Sequence, residues 1–459
     1  MPELTGGSDS ATAGGLAEHG EPTARVGSTT EIMHRAEVHR LAVAGRERAI
    51  AREVGGQVAL LWMNRSRFAD VAAATRATLT LGLDADALYF LGWALSYTGQ
   101  PRQALTHYEQ ALTIEREAGN RAREAAILTN IGLAYDGLSD RHQALTYHQR
   151  ALLIQQEIGN RAGEAATLNN IGSVHHWLGD RHQALAHYER ALHIQQEIGN
   201  RAGEAAALNN IGLLHNGLGD RAQALTYYRH ALPIQQEVGN RLGEAATLNN
   251  IGLAHRDLGD WRPALDYFQQ ALAIRREVGD RTGEAIALHN IGLVHSGLDD
   301  PQQALTYYRQ ALPIQREVGN RAGEAATLTS IGTVHDRLGD RPQALACFQQ
   351  ALPIRREVGD RAGEAATLNN IGTIRLAEGD FTGAEDAFRE VLEILRLVGD
   401  RGSEATVRFN MAVVLMCMAR VDDALTFQSE AVALAEQTGN PAVDQMRGFF
   451  TRLQQTTNE

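Results

Sequence analysis

The decamer GEAATLNNIG occupies Gly163–Gly172 and recurs at Gly243–Gly252 and Gly363–Gly372, with GEAAALNNIG at Gly203–Gly212. Working outward from it cuts the chain into nine blocks of 40 residues, from Leu81 to Asn440. Gly92, Gly132, Gly172, Gly212, Gly252, Gly292, Gly332 and Gly372 fall in one column, and Ala412 takes the ninth place. A second column is alanine throughout, from Ala104 through Ala184 to Ala424. A third holds Tyr108, His148, Tyr188, Tyr228, Phe268, Tyr308, Phe348 and Phe388. No insertion interrupts the spacing, and a period of this length marks a solenoid.

Each block reads as two helices. Arg161–Trp177 carries Ala165, Leu168, Ile171, Gly172 and His175 at three- and four-residue spacing, which makes one apolar stripe. Leu178-Gly179-Asp180 breaks it. Asp180 is a suitable N-cap with Gln183 three residues on, a device repeated at Asp140/Gln143, Asp220/Gln223 and Asp340/Gln343. Pro301 follows Asp300 at a first helical position. The second helix runs to about Ile198 with Ala184, Leu185, Tyr188, Ala191, Leu192 and Ile194 inward. Gly199 suits a left-handed C-cap, and Asn200 starts the next helix. Gly172 faces Ala184 and Ala191, so the two backbones can approach closely. Pro233, Pro313 and Pro353 stand inside second helices, where each costs about 3 kcal/mol in an ordinary helix, so bends are expected there.

The ends depart from the period. Residues 1–30 are rich in Gly, Ser, Thr, Ala and Glu and read as a disordered lead-in. Residues 31–80 read as a degenerate repeat, with helices Glu31–Val54 and Val58–Gly82 parted at Gly55-Gly56. Residues 441–459 hold a capping helix, Pro441–Leu453, presenting Met446, Phe449, Phe450 and Leu453. The fold class is therefore all-α, a right-handed α-solenoid of antiparallel hairpins over residues 81–440.

Composition narrows function. The 459 residues carry a net charge of −12 without a basic block, which argues against a nucleic-acid partner. Cys347 and Cys417 are too few for a thiolate metal site or a disulfide framework. No signal-peptide pattern opens the chain and no uncharged run is long enough to span a membrane, so a cytoplasmic setting is expected. No dinucleotide fingerprint, P-loop or HExxH motif is present, so neither an enzyme nor a cofactor is expected.

Leu168, Ile171, Gly172, His175, Ala184, Tyr188 and Ala191, in that order, resemble the signature of the tetratricopeptide repeat. The longer unit is similar to the repeats of kinesin light chains, of Leu-Gly-Asn-rich mitotic adaptors and of the sensor regions of bacterial signalling ATPases. The resemblance implies a protein or peptide ligand on the concave face lined by first helices. It also implies contact with the ligand backbone by the asparagine two residues before the glycine. Here those positions are Asn130, Asn170, Asn210, Asn250, Asn290 and Asn370, with Ser330 the exception. Carboxylate-clamping members add basic residues one turn earlier, where this chain has Ala126, Ala166, Ala206, Ala246, Ile286, Ala326 and Ala366.

An amide both donates and accepts, so a row of asparagines can also be argued to pair with any peptide backbone. The adjacent Asn169, Asn209, Asn249, Asn369 and His289 either join that row or tie repeats together. His175, His215, His255, His295 and His335 are separated by whole repeats, too far apart to share a metal, and are expected to pack between helices. Specificity is expected where the repeats disagree: His176, Trp177, Asn216, Arg256, Asp257, Asp336 and Arg337. Leu133, Leu213, Leu253 and Leu293 give the groove an apolar floor. The expected function is a non-catalytic binding scaffold or adaptor, with self-association left open. The alternative is a sensor or regulatory subunit acting with a separate ATPase or DNA-binding partner.

Overall fold

A computed structural model describes residues 29–63, 65 and 67–458, and every regular element among them is a helix. The lead-in expected over residues 1–30 falls almost wholly outside the described residues. The chain divides into two compact units, residues 1–258 and 259–459. The first contains the hairpins Ala85–Tyr97/Pro101–Glu117, Arg121–Gly137/Arg141–Glu157, Arg161–Trp177/Arg181–Glu197 and Arg201–Gly217/Arg221–Glu237, then Arg241–Asp257. The second begins with Trp261–Glu277 and continues as Arg281–Gly297/Pro301–Glu317, Arg321–Arg337/Arg341–Glu357, Arg361–Glu378/Phe381–Val398 and Arg401–Cys417/Val421–Thr438.

The turn chemistry sets these boundaries. Asp180 Oδ1 accepts from Gln183 N at 3.2 Å, and Asn160 Oδ1 accepts from Gly163 N at 3.0 Å. Each bond satisfies one of the amides that a helix start leaves without an intrahelical partner. Gly199, at φ 69°, supplies the left-handed residue that ends Arg181–Glu197 and redirects the chain.

Packing alternates in register with the helices. Ala165 and Leu168 bury against Ala191 and Ile194 of their own hairpin. Ala184 and Tyr188 bury against Ile211 and Leu214 of the next one. Each hairpin thus buries one face within itself and another on its neighbour, so stability accumulates from nearest-neighbour interfaces. The glycine column makes the first of these interfaces fit. A Cβ on Gly172 would lie 2.6 Å from the Tyr188 ring and 3.2 Å from the Ala184 carbonyl oxygen.

Three expectations are corrected or refined. The N-terminal region forms three helices, Thr29–Ala44, Arg48–Met63 and Phe68–Leu79, and Gly55-Gly56 lies inside the second. Gly55 is there for close packing: a Cβ would meet Thr78 Oγ1 at 3.0 Å and the His39 ring at 3.1 Å. The helices containing Pro233, Pro313 and Pro353 keep the 17-residue length of the proline-free Arg181–Glu197. All three prolines are exposed, so no break in the helix is needed to keep them out of the core. The last helix is Val443–Asn458; Met446 buries against Ala405, Ala431 and Ala435, and Phe449 meets Phe409 edge-on at 5.4 Å. The Leu453 side chain lies outside the described residues.

Candidate functional site

In the first unit one column pair of the first helices reads Ala126 and Leu133, then Ala166 and Ser173, Ala206 and Leu213, Ala246 and Leu253; Ala166 and Leu253 are buried and the others are half-buried. Three- and four-residue spacing places the asparagines on the same face between these positions. No charged side chain occupies the Ala126, Ala166, Ala206 and Ala246 column, so the floor is small, neutral and mildly apolar.

The asparagines do not form a uniform row. Asn130 Nδ2 donates to the Tyr89 hydroxyl at 2.9 Å. Asn250 Nδ2 donates to Asn209 Oδ1 at 3.1 Å, and Thr247 Oγ1 approaches the same oxygen at 3.5 Å. In the second unit Asn410 Nδ2 reaches Asn369 Oδ1 at 3.4 Å, and the His289 ring bonds Thr327 Oγ1 at 2.9 Å. These bonds join successive first helices. Asn250 is only 9% exposed and Asn290 only 3%, so both stand inside the helix stack rather than on an open face. That corrects the expectation that they present their amides to a ligand. Asn170, Asn210 and Asn370 are half-buried and their side chains hold no hydrogen bond among the described residues. Asn169 Oδ1 is buried without a partner.

The variable positions have partners of their own. The Arg141 guanidinium lies 5.4 Å from the centroid of Trp177, which is 41% exposed, while His176 meets Trp177 edge-on at 6.0 Å. Burial, and then the nearby Arg181 charge, hold the His176 imidazole below its ordinary pKa. Arg256 Nη2 donates to Asp257 Oδ1 at 2.8 Å, and Arg221 stands 4.0 Å from Asp257. Arg337 donates to the Ser296 carbonyl at 2.9 Å and to Asp299 at 2.6 Å. Arg256, Asp257 and Arg337 are therefore engaged within the chain. Asp336 is exposed, and Asn216 Oδ1 is buried with no partner. Much of the variation is complementary packing: the residue in the Trp177 column faces the first residue of the preceding second helix. Arg141 is met by Trp177, Arg221 by Asp257 and Trp261 by Gly297.

Two features of the framework escaped the motif reading. Glu164 is buried and accepts from Arg161 and Arg190 at 2.6 Å each and from Gln156 at 3.0 Å. Burial pushes its carboxyl up, but the hydrogen bonds of Gln156 and Arg161 and the arginine charge outweigh it and hold the pKa below the usual carboxylate range. Arg161 then spans to Glu197 at 2.5 Å, and Arg281 spans Glu284 and Glu317 in the same way. The second feature is an exchange of charge. Gln155, Gln195, Gln235 and Gln315 go with Asn160, Asn200, Asn240 and Asn320, whereas Arg275 and Arg355 go with Asp280 and Asp360 and pair with them. Two columns changing together were the available signal.

The histidine column packs inside hairpins: His175 stacks on His187 at 5.4 Å, His215 on Tyr227 at 5.4 Å and His295 on Tyr307 at 5.3 Å. Among the described residues no three His, Cys, Asp or Glu side chains gather as a metal site, and no helix is long and apolar enough to cross a membrane.

The family model described as tetratricopeptide repeat matches in eight overlapping windows, from residues 83–157 through to residues 363–437. The chain belongs to the tetratricopeptide repeat family. Members of this family act through protein interaction. Comparison with curated proteins gives no match. Among solved structures, the signal transduction ATPase with a tetratricopeptide repeat sensor from Pyrococcus horikoshii is similar at TM-score 0.55 and 13% identity, over 75% of this chain and 55% of that one. The apo quorum sensor NprR from B. thuringiensis is similar at TM-score 0.53 and 15% identity, over 73% and 96% of the two chains. A Rap protein complexed with Competence and Sporulation Factor gives TM-score 0.50 at 13% identity, over 76% and 99%. At these identities the likeness is one of fold.

Proposed function

We propose that this tetratricopeptide repeat protein is a cytoplasmic sensor or regulatory subunit. It reads an extended protein or peptide segment on its first helices and acts through a separate ATPase or DNA-binding partner. The observation that carries the binding half is the neutral, small-residue face of the first unit with the unpaired amides of Asn170 and Asn210. Such a face accepts a peptide backbone through hydrogen bonds and tolerates uncharged side chains, and it offers a terminal carboxylate no cation. The regulatory half draws support from similar folds that serve as the sensor of a signalling ATPase and as a quorum sensor.

The test begins with partners recovered from the native cell, followed by titration of the purified ligand against the wild-type chain and the Asn170→Ala/Asn210→Ala variant. Binding at least about tenfold weaker in the variant is expected from the loss of two buried-side amide contacts. ATPase rate or DNA affinity of the recovered partner is then measured with and without ligand. A change supports the regulatory reading; ligand and partner held together with no change in the partner's activity supports a plain adaptor instead.

A further inference from the structure

One hairpin of the first unit gathers histidine. Arg161–Trp177/Arg181–Glu197 holds His175, His176, His182, His187 and His193, five of the chain's 17. Two of them lie face to face: the His175 and His187 rings stack across the hairpin at 5.4 Å and 16°. The same two columns elsewhere pair imidazole with phenol, as His215 with Tyr227 and His295 with Tyr307, or phenol with phenol, as Tyr135 with Tyr147. Further on they hold His335 with Cys347 and Arg375 with Ala387. Only in this hairpin do both columns carry imidazole.

The surroundings accommodate one charge on this pair but not two. Asp180 Oδ2 stands 3.7 Å from His175 Nδ1, so a first proton faces a carboxylate. A second proton, on His187, meets the first across the stack and also Arg190, which Glu164 holds at 2.6 Å. Burial, then His175 and Arg190, hold the His187 imidazole below its ordinary pKa, and Asp180 offsets them only in part. The neighbouring helices do not relieve it. On Arg141–Glu157, the place from which Arg309 acts on Cys347 is taken by neutral Gln149, His148 is buried, and Arg150 lies over Tyr147. Asp136 of Arg121–Gly137 is paired with Arg141. Arg201–Gly217 packs through Ile211 and Leu214 on Ala184 and Tyr188.

We propose that the hairpin Arg161–Trp177/Arg181–Glu197 is an acid-sensitive joint of the first unit, opened when His175 and His187 are both protonated. The folded pKa of His187 lies below 6.5, so its contribution to stability is whole above that pH and is lost as pH falls from 6.5 through the folded value. At the 5.4 Å ring separation, repulsion between two unit charges multiplies opening about fourfold even at the dielectric of water, and more in a half-buried site. The opening is local, because a solenoid hairpin is held only by its own packing and its two neighbours. It interrupts the first-helix row between Asn130 and Asn210.

Hydrogen exchange of the full chain, read by mass spectrometry at about pH 7.5 and about pH 5.5 and corrected for the intrinsic rate, reports the opening of each hairpin. Every chain compared carries His148→Phe, so that the other buried imidazole does not contribute. Protection in residues 161–197 is expected to fall about fourfold or more between the two conditions, while residues 281–317 hold theirs. His187→Tyr, which copies Tyr227 and Tyr307, abolishes the fall. Tyr307→His faces His295, which has Asp300 at 3.7 Å, and installs a fall in residues 281–317. That fall is the smaller one, because Gln310 stands where this hairpin has Arg190. No fall in residues 161–197, a fall that survives His187→Tyr, one shared equally by both hairpins, or a Tyr307→His hairpin that stays insensitive overturns the joint.

Discussion

The hairpin Arg161–Trp177/Arg181–Glu197 and the hairpin Arg401–Cys417/Val421–Thr438 place the same columns in the same geometry and fill them differently. In the first, Leu168 and Tyr188 are buried hydrophobics and Gly172 makes room for the ring. In the last, Arg408 stands for Leu168, Gln428 for Tyr188 and Ala412 for Gly172, and all three are buried. Arg408 is held by Glu404 at 2.7 Å and by Glu430, and Gln428 Nε2 donates to the Met446 carbonyl at 2.6 Å. The glycine and the ring therefore belong to one fitted pair. When the ring gives way to Gln428, the glycine gives way to Ala412. The polar pair also ties the closing helix Val443–Asn458 to the last hairpin.

The sharpest way to break this comparison is Gly172→Ala. The added methyl group has the Tyr188 ring on one side and a backbone carbonyl on the other, so a loss of about 3 kcal/mol is expected, the upper part of the overpacking range. Ala412→Gly in the last hairpin loses only helix propensity and a methyl contact, about 1 kcal/mol. Urea denaturation followed by hydrogen exchange in the two hairpins measures both. In a Tyr188→Gln background, which copies the last hairpin's own pairing, the penalty of Gly172→Ala should shrink. Equal penalties in the two backgrounds would sink the fitted-pair account.

His148 sharpens the comparison from the other side. Like Gln428 it is a polar residue in the aromatic column, but both its ring nitrogens are buried without a partner. Desolvation drives its pKa down from 6.5 to about 4, so the native state holds it neutral. Below pH 6.5 the unfolded chain takes up a proton that the native one refuses. The His148 contribution to stability is therefore lost progressively as pH falls from 6.5 to about 4 and changes no further below that. The carboxyls of Glu124, Glu164 and Glu385 are net lowered, burial being outweighed by their arginine and glutamine hydrogen bonds. They add a second loss once pH falls below the unfolded value of 4.5 and through their folded values. His148→Phe copies Phe348 and removes the orphaned nitrogens, so a gain of about 2 kcal/mol is expected at pH 7. Denaturation curves recorded from pH 7 to pH 4 should be flatter for this variant than for the wild type.

The periodic part of the fold was legible because the deciding features are local and repeated. Asp180 and Asn160 cap within three residues, and nine near-copies average out any single irregularity. Gly55-Gly56 was misread because a glycine that ends a helix and a glycine that admits a neighbouring side chain look alike in one sequence. His39 and Thr78, which explain it, are distant in the chain. The site was legible as columns but not as steps. Whether an amide is spent on the stack depends on one cross-repeat distance, closed at Asn250–Asn209 and open at Asn210–Asn169. The pairing of Arg221 with Asp257, or Trp261 with Gly297, was within reach, since the two columns change together once the blocks are aligned.

The smallest effect tests the turn inside a hairpin, which is Gly179 in the first compared hairpin and Ala419, at φ 59°, in the last. Most first helices end on a left-handed glycine, such as Gly179 at φ 80° and Gly339 at φ 79°. Ser139 and Asp299 take the same place at φ 63° and 59°, a conformation in which a side chain crowds its own backbone. Ser139→Gly should stabilise by about 1 kcal/mol, because the strain removed exceeds the extra entropy glycine gives the unfolded chain. Asp299→Gly should gain less, since it also loses the 2.6 Å pair with Arg337, although that exposed pair is worth little. Urea midpoints measured for both variants order the two effects. A gain for Asp299→Gly equal to that of Ser139→Gly would show that Arg337 is held by the Ser296 carbonyl and hydroxyl without Asp299, and that the turn sequence is set by backbone conformation.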